Sequence, residues 1–264
     1  MSKITEFQAL KGQRKIVCLT AYTASMGARL DKHCDLILVG DSVAMVVYGE
    51  ETTRTATLDM MCRHGKAVRK AASEAVIVVD MPEGSYEDSA NRAVDSAARI
   101  MSETGADAVK LEGGIALAPH IAAIVKSGIP VMGHIGLLPQ QVTSPDGFRV
   151  TGRDSIEEAQ LLDDLKSLEQ AGCFAIVAEC IVEQVARKLQ AAATVPLIGI
   201  GASPACDGQI LVSDDLIGIY DKFTPKFVRK YANLSSAIDD AVAAYRDDVI
   251  SGAFPSEKEC FMKR

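Results

Sequence analysis

Five short apolar runs in this sequence each give way to an ionisable side chain. Leu36-Ile-Leu-Val39 leads into Gly40-Asp41-Ser42, and Val76-Ile-Val-Val79 into Asp80. Ala108-Val109 leads into Lys110-Leu111-Glu112, Pro130-Val131-Met132 into Gly133-His134, and Ile176-Val-Ala178 into Glu179. Singly these residues say little. An Asp after a strand is most often a turn or cap residue, and a lone His is more often structural than catalytic. Five in succession carry more weight. Lys110 and Glu112 are two apart, so a strand points both the same way, and a buried charged pair is costly to desolvate. Asp41, Asp80 and Glu112 are hard oxygen donors. With His134 near, they suit Mg²⁺ with positions left for water or substrate. A zinc site needs more His or Cys at fixed spacing.

Such convergence requires elements that bring the ends of the runs together. The runs are nearly continuously apolar, as in strands buried on both faces. Eight are predicted: Ile16–Thr20, Leu36–Val39, Ala75–Val79, Ala108–Leu111, Pro130–Met132, Phe174–Ala178, Pro196–Ile200 and Leu216–Tyr220. Helical patterns lie between most of them, at Ala24–His33, Leu58–Ala72, Asp88–Glu103, Ala116–Lys126, Ile156–Ala171, Ile181–Ala193 and Ser235–Ile250. The clearest sets Leu161, Leu165 and Leu168 at helical spacing, with a Ser155/Glu158 capping-box pattern at its start and Gly172 as a C′ glycine. Parallel strands need crossovers, and helices supply them. The count predicts an α/β fold, a (β/α)₈ TIM barrel, with an open doubly wound sheet as the alternative. Barrel enzymes carry their sites at the carboxyl ends of the strands, where the five runs end. No linker or composition break divides the chain, so residues 1–264 are expected to form a single domain.

Composition narrows the partners. The 264 residues are 48% hydrophobic and 24% charged, with a formal net charge of −7. Nucleic acid is an unexpected partner for an acidic chain without a basic stripe. A bound cation would let such a chain hold an anionic substrate. No apolar run approaches the length of a membrane span. Met1 to Gln13 lacks the apolar stretch and cleavage site of a secretory signal. Seven scattered cysteines without a C-x-x-C pair suggest reduced thiols and a cytoplasmic setting. The dinucleotide fingerprint fails at Pro204, and the glycine spacing Gly147–Gly152 is followed by Arg153-Asp154 rather than a P-loop Lys-Ser/Thr.

An ordered set of motifs then stands out: Val39-Gly-Asp-Ser42, Val79-Asp-Met-Pro82 with Ser85-Tyr86, Val109-Lys-Leu-Glu-Gly-Gly114 and Gly133-His-Ile-Gly-Leu137. Pro139-Gln140, Val150-Thr-Gly-Arg153, Ala178-Glu-Cys180, Ile198-Gly-Ile-Gly-Ala202, Asp207-Gly-Gln-Ile-Leu211 and Pro225-Lys-Phe227 continue it. The set resembles the ketopantoate hydroxymethyltransferase family from about Ile16 to Phe227. Glu83 stands where that family usually has an aromatic residue, and Ser203 where it has a glycine.

The resemblance implies a barrel of the phosphoenolpyruvate/pyruvate type. It implies transfer of a hydroxymethyl group from 5,10-methylenetetrahydrofolate to 3-methyl-2-oxobutanoate, giving 2-dehydropantoate for pantothenate biosynthesis, with Mg²⁺ as cofactor. By motif position, Asp41, Asp80 and Glu112 are the metal ligands. Asp41, Ser42, Asp80 and Lys110 touch the keto acid, His134 lines the same site, and Glu179 is the proton acceptor. A homodecamer is implied as well. Two alternatives stay open: a Mg²⁺-dependent carbon–carbon lyase or phosphonomutase of the same barrel superfamily, and a non-catalytic oligomeric scaffold. A scaffold has no need for converging buried charges.

Overall fold

The computed structural model describes residues 2–144, 147–220 and 224–262. Pro145 and Asp146, within the long irregular stretch 137–154, lie outside the described residues. Eight parallel strands close into a barrel in chain order. They are β1 (Ile16–Thr20), β2 (Leu36–Val39), β3 (Val76–Asp80), β4 (Ala108–Lys110), β5 (Val131–Gly136), β6 (Ala175–Glu179), β7 (Leu197–Ile200) and β8 (Gly208–Leu211). The helices in chain order are α1 (Lys3–Ala9), α2 (Ala24–Leu30), α3 (Val43–Val46), α4 (Leu58–Ala71), α5 (Ala90–Thr104), α6 (Ala118–Lys126), α7 (Ser155–Gln170), α8 (Glu183–Ala192), α9 (Ser213–Ile217) and α10 (Leu234–Ser251). The barrel belongs to a compact unit ending at Ser213, and a second compact unit runs from Asp214 to Arg264. In the second unit α10 shows Leu234, Ile238, Val242, Tyr245 and Val249 at helical spacing, each partly exposed.

Strand periodicity explains both layers of the core. Successive strand residues point to opposite faces. Ile16, Leu36, Leu38, Val76, Val78, Ala108, Met132, Ala175, Val177, Ile198 and Ile210 pack together as one cluster, which fills the barrel interior. The intervening residues, among them Ile37, Val39, Ile77, Val79, Val109, Ile176 and Leu197, pack in a second cluster with helix residues such as Leu165, Leu168 and Ile121. Each fully buried Leu or Ile there contributes roughly 1.5–3 kcal/mol relative to exposure. Phe7 of α1 closes the amino end of the interior edge-to-face on Phe174, with ring centroids 5.8 Å apart.

Two sequence expectations need correction. The eighth strand is Gly208–Leu211, and Leu216 and Ile217 belong to α9. β8 pairs with both β1 and β7, with Ile16 opposite Gly208. Its alternation of buried and exposed residues hid it among continuously apolar runs. The glycine is required, because a Cβ at Gly208 would lie 2.6 Å from the Ile16 carbonyl oxygen. The cap of α7 is Asp154, which accepts from the amides of Ile156 and Glu157, and Ser155 is already the first helical residue. Gly172 does follow the helix in the left-handed region, at φ 95°.

Candidate active site

The interior face continues past the apolar plug. Counting by twos from Val76 and Val78 reaches Asp80; from Ala108, Lys110 and Glu112; from Met132, His134; from Ala175 and Val177, Glu179. The strand phase that buries these aliphatic residues therefore delivers the ionisable ones to the interior at the carboxyl end. Asp41 and Ser42 arrive from the turn after β2. Gly40 makes room there, since a Cβ on it would lie 2.8 Å from Ser42 Oγ and 3.6 Å from Asp80 Oδ2. Backbone bonds stitch the rim beyond the strands, from Met81 N to Lys110 O at 2.8 Å, Gly113 N to His134 O at 3.0 Å and Leu137 N to Glu179 O at 2.9 Å.

All the sequence-predicted residues meet at this end; Ser42 and Glu179 stay partly open, Glu179 at 17% side-chain exposure against 3% for Asp80 and 2% for Glu112. Asp80 and Lys110 are register partners across β3 and β4, and Lys110 Nζ donates to Asp80 Oδ1 at 2.7 Å. The other Asp80 oxygen accepts from the Asp41 amide at 3.0 Å. His134 lies between two carboxylates, with Nδ1 3.5 Å from Glu112 Oε1 and Nε2 3.2 Å from Glu179 Oε2. These are charge contacts rather than aligned hydrogen bonds, and neither ring nitrogen has a well-directed partner.

The electrostatics follow from burial and neighbours. Burial, then the charges of Asp80 and Glu112, push the Asp41 carboxyl well above its usual range. Burial opposes ionisation of Glu112 too, yet His134, Lys110 and the Gln140 amide hold it below the usual range. Burial would lower His134, but Glu112 and Glu179 outweigh it and lift the imidazole to about 9. Four carboxylates thus face two cationic side chains. The oxygens of Asp41, Asp80 and Glu112 form a hard donor set short of positive charge, which fits a divalent cation of the Mg²⁺ kind. Among the described residues no three His, Cys, Asp or Glu side chains already stand grouped as ligands. Lys110 and Gln140 occupy oxygens of Asp80 and Asp41.

Three further polar residues are drawn in whose roles the sequence did not disclose. The Tyr22 hydroxyl lies 2.8 Å from Ser42 Oγ. Gln140 and Tyr86 are buried against Asp41 and Glu112. Their residue types carry no charge signal, and Gln140 falls in an irregular stretch without periodicity. A cavity of about 160 Å³ opens onto Tyr86, Glu112 and Gln140, with Arg54 and Glu83 on its outer lining. Arg54 grips Glu83 through two bonds of 2.7 and 2.8 Å, so the Glu83 departure is matched by a cation. A larger recess of about 520 Å³ lies at the amino ends of the strands. There Asp31 and Asp35 are already satisfied by backbone amides and Arg14.

Comparison with known proteins bears on the family and the fold. A sequence model of the ketopantoate hydroxymethyltransferase family matches residues 1–257. The 3-methyl-2-oxobutanoate hydroxymethyltransferase of Rhizobium etli is 53% identical, over 97% of this chain and 94% of its own length. That of Agrobacterium fabrum is 52% identical, over 97% and 91%. Among solved structures, phosphonopyruvate hydrolase superposes with a TM-score of 0.65 at 13% identity, covering 98% of this chain and 93% of that one. The 2,3-dimethylmalate lyase, a PEP mutase/isocitrate lyase superfamily member, gives 0.61 at 15% identity, covering 99% and 91%. These two share the barrel fold. With half its residues identical to named transferases across nearly its whole length, and a buried acidic site at the mouth of its barrel, the chain belongs to the ketopantoate hydroxymethyltransferase family of enzymes.

Proposed function

We propose that the enzyme transfers a hydroxymethyl group from 5,10-methylenetetrahydrofolate to carbon 3 of 3-methyl-2-oxobutanoate, consuming a water, releasing tetrahydrofolate and giving 2-dehydropantoate, with Mg²⁺ as cofactor. The supporting observation is the buried set of Asp41, Asp80, Lys110, Glu112 and His134, with the partly exposed Glu179 beside it, at one end of the barrel. Asp41, Asp80 and Glu112 would hold the cation. When bound, it supplies a Lewis acid to the carboxylate and keto oxygens of a 2-oxo acid. Phosphonopyruvate hydrolase, of the same fold, has been crystallised with oxalate and Mg²⁺.

The chain's own groups divide the remaining work. Ser42, held by Tyr22, and the ammonium of Lys110 bind the keto acid together with Asp41 and Asp80. Lys110 offers positive charge where the keto oxygen gains negative charge as a C3 proton leaves. Glu179 is the proton acceptor. Its contact with His134 steadies one oxygen, while its partial exposure leaves a path for the proton. Cys180, just after it, has a left-handed backbone at φ 49° and is pinned on both sides, by Cys180 N to Ile200 O and Thr151 N to Cys180 O, each 2.8 Å. That pinned turn fixes the direction in which Glu179 leaves the strand.

The assembly is part of the same reading. A homodecamer, or a smaller homo-oligomer, would cover the apolar row on α10. The cytoplasmic setting rests on seven free thiols. The lyase and phosphonomutase alternatives draw only on neighbours of 13–15% identity, which carry the fold and not the reaction.

The test is to incubate the full chain with Mg²⁺, 3-methyl-2-oxobutanoate and methylenetetrahydrofolate and to look for 2-dehydropantoate. Product that depends on all three is expected. No product, with the protein folded and the substrates intact, overturns the reading.

A further inference from the structure

Gln140 lies outside every strand, in a short 3₁₀ turn over Pro139–Gln141, yet it is only 3% exposed. It reaches the ends of three strands. Its Nε2 donates to Asp41 Oδ2 at 2.8 Å and to the Met81 carbonyl at 3.0 Å. Its backbone amide donates to Glu112 Oε2 at 3.0 Å. Its Oε1 receives the Tyr86 hydroxyl at 2.5 Å. One uncharged residue thus ties together two carboxylates that come from opposite sides of β3.

A side-chain amide can turn over with almost no change in shape, so something must decide which end faces Asp41. Tyr86 decides it. Its hydroxyl oxygen accepts from the Glu112 amide at 3.3 Å, and its single proton has the Gln140 oxygen at 2.5 Å and the Glu112 carbonyl at 3.3 Å to choose from. The shorter contact takes it. A tyrosine hydroxyl is a phenol at neutral pH, so that proton is available to donate. With Oε1 engaged, Nε2 must face Asp41 and Met81, both acceptors. Turned over, the amide would set an oxygen against a carboxylate and a carbonyl. The neutrality of the amide matters as well. Lys110 orients Asp80 by neutralising it, whereas Gln140 orients Asp41 and Glu112 and leaves their charge free for a cation.

We infer that Gln140 is a positioning residue that holds Asp41 and Glu112 in fixed relation, and that Tyr86 is the lock on its amide. This rests on the reading of those carboxylates as cation and keto-acid groups. The test uses Gln140→Leu, Tyr86→Phe and the double variant in the full chain. Mg²⁺ affinity is measured by calorimetry on metal-free protein, with thermal melts to confirm folding. Gln140→Leu should weaken Mg²⁺ binding about 10- to 100-fold, the usual loss for a partner that orients a ligand. It should raise KM for the keto acid, while saturating Mg²⁺ restores most of kcat. Tyr86→Phe should weaken Mg²⁺ about 3- to 10-fold in the parent, and clearly less in the Gln140→Leu background, because its short bond acts through the amide and only the two 3.3 Å contacts with the Glu112 backbone remain to be lost there. Parent-like Mg²⁺ affinity in Gln140→Leu overturns the inference, and so do equal losses from Tyr86→Phe in both backgrounds. If the parent itself binds no Mg²⁺, the ion assignment fails instead, and the same cycle is scored on KM for the keto acid. If Gln140→Leu does not fold, Gln140→Asn, whose amide stops one methylene short of Asp41, takes its place.

Discussion

Lys110→Met tests the electrostatic core of the site most directly. Lys110 is 4% exposed, and its ammonium lies 2.7 Å from Asp80. Burial alone would lower its pKa, but Asp80, Glu112 and Asp41 together raise it, so the cation is permanent. Methionine keeps the length of the side chain and removes the charge. Asp80 then remains buried beside Asp41 and Glu112 with its principal partner gone. Deleting one member of a buried ion pair costs about 3–5 kcal/mol. In a chain of this size each kcal/mol moves the thermal midpoint by about 2–4 °C, so a drop of roughly 6–20 °C is expected in metal-free protein. Two additions should recover part of it. Mild acid should help, because Asp41 is already pushed well above the usual carboxylate range and takes a proton first. Mg²⁺ should help by restoring positive charge. The assay is urea unfolding at neutral pH and at about pH 5, with and without Mg²⁺. A loss below about 1 kcal/mol, or one identical under all conditions, would show that the carboxylates are not coupled through Lys110.

Glu179→Gln should fold and bind keto acid normally while turnover falls by about 10²- to 10⁴-fold, the range for a lost general base; near-parental turnover in a coupled assay removes its assigned role. Asp80→Ala should weaken Mg²⁺ and keto-acid binding together, and unchanged Mg²⁺ affinity by calorimetry would exclude it as a ligand. His134 gives the metal-free protein a pH signature. Its raised pKa adds stability that is fully present below its ordinary value of 6.5 and is lost as pH rises through about 9. The loss amounts to about 3 kcal/mol at most, and a flat or rising unfolding free energy between neutral pH and that point would contradict it. At the cavity rim, Arg54→Met leaves Glu83 unopposed and should raise KM for an anionic substrate, whereas Glu83→Gln should lower it. Both shifts should shrink in high salt, and shifts of the same sign in the two variants would rule out the charge argument.

Much of the barrel was legible because seven of its strands are near-continuous apolar runs, which only a doubly covered parallel sheet requires. β8 was not. It is four residues long with a Gly-Gln start, and it owes its place to pairing with β1, almost two hundred residues earlier in the chain. Such a strand is specified by its neighbours and by the space that Gly208 leaves, and local hydropathy does not record either. The site divides the same way. Asp80, Lys110, Glu112, His134 and Glu179 share the strand phase of the aliphatic residues before them, so their convergence was encoded at a spacing of two. Gln140, Tyr86 and Tyr22 come from turns and loops, where no period relates a side chain to the barrel axis. Their importance lies in hydrogen bonds that only the folded chain makes.

The two ends of the barrel use the same residue type for opposite ends, and the direction of the backbone explains why. Asp35, Asp107 and Asp207 sit just before β2, β4 and β8. Each accepts from a backbone amide of the neighbouring strand, at Val17, Ile77 and Leu197 respectively. At the amino edge of a parallel sheet the free backbone groups are N–H donors, so a carboxylate there finds partners in the strands themselves. Asp35 and Asp207 add a salt bridge to Arg14 and Lys11. At the carboxyl edge the free groups are carbonyls, which repel a carboxylate. Asp80 and Glu112 must therefore be matched by a lysine, a histidine and amides borrowed from turns, and Asp41 remains short of a proper counter-charge. An acid before a parallel strand closes the structure, whereas an acid after one leaves charge to be answered from outside. For this chain that asymmetry is the physical ground for expecting a cation and an anionic substrate at one end of the barrel and none at the other.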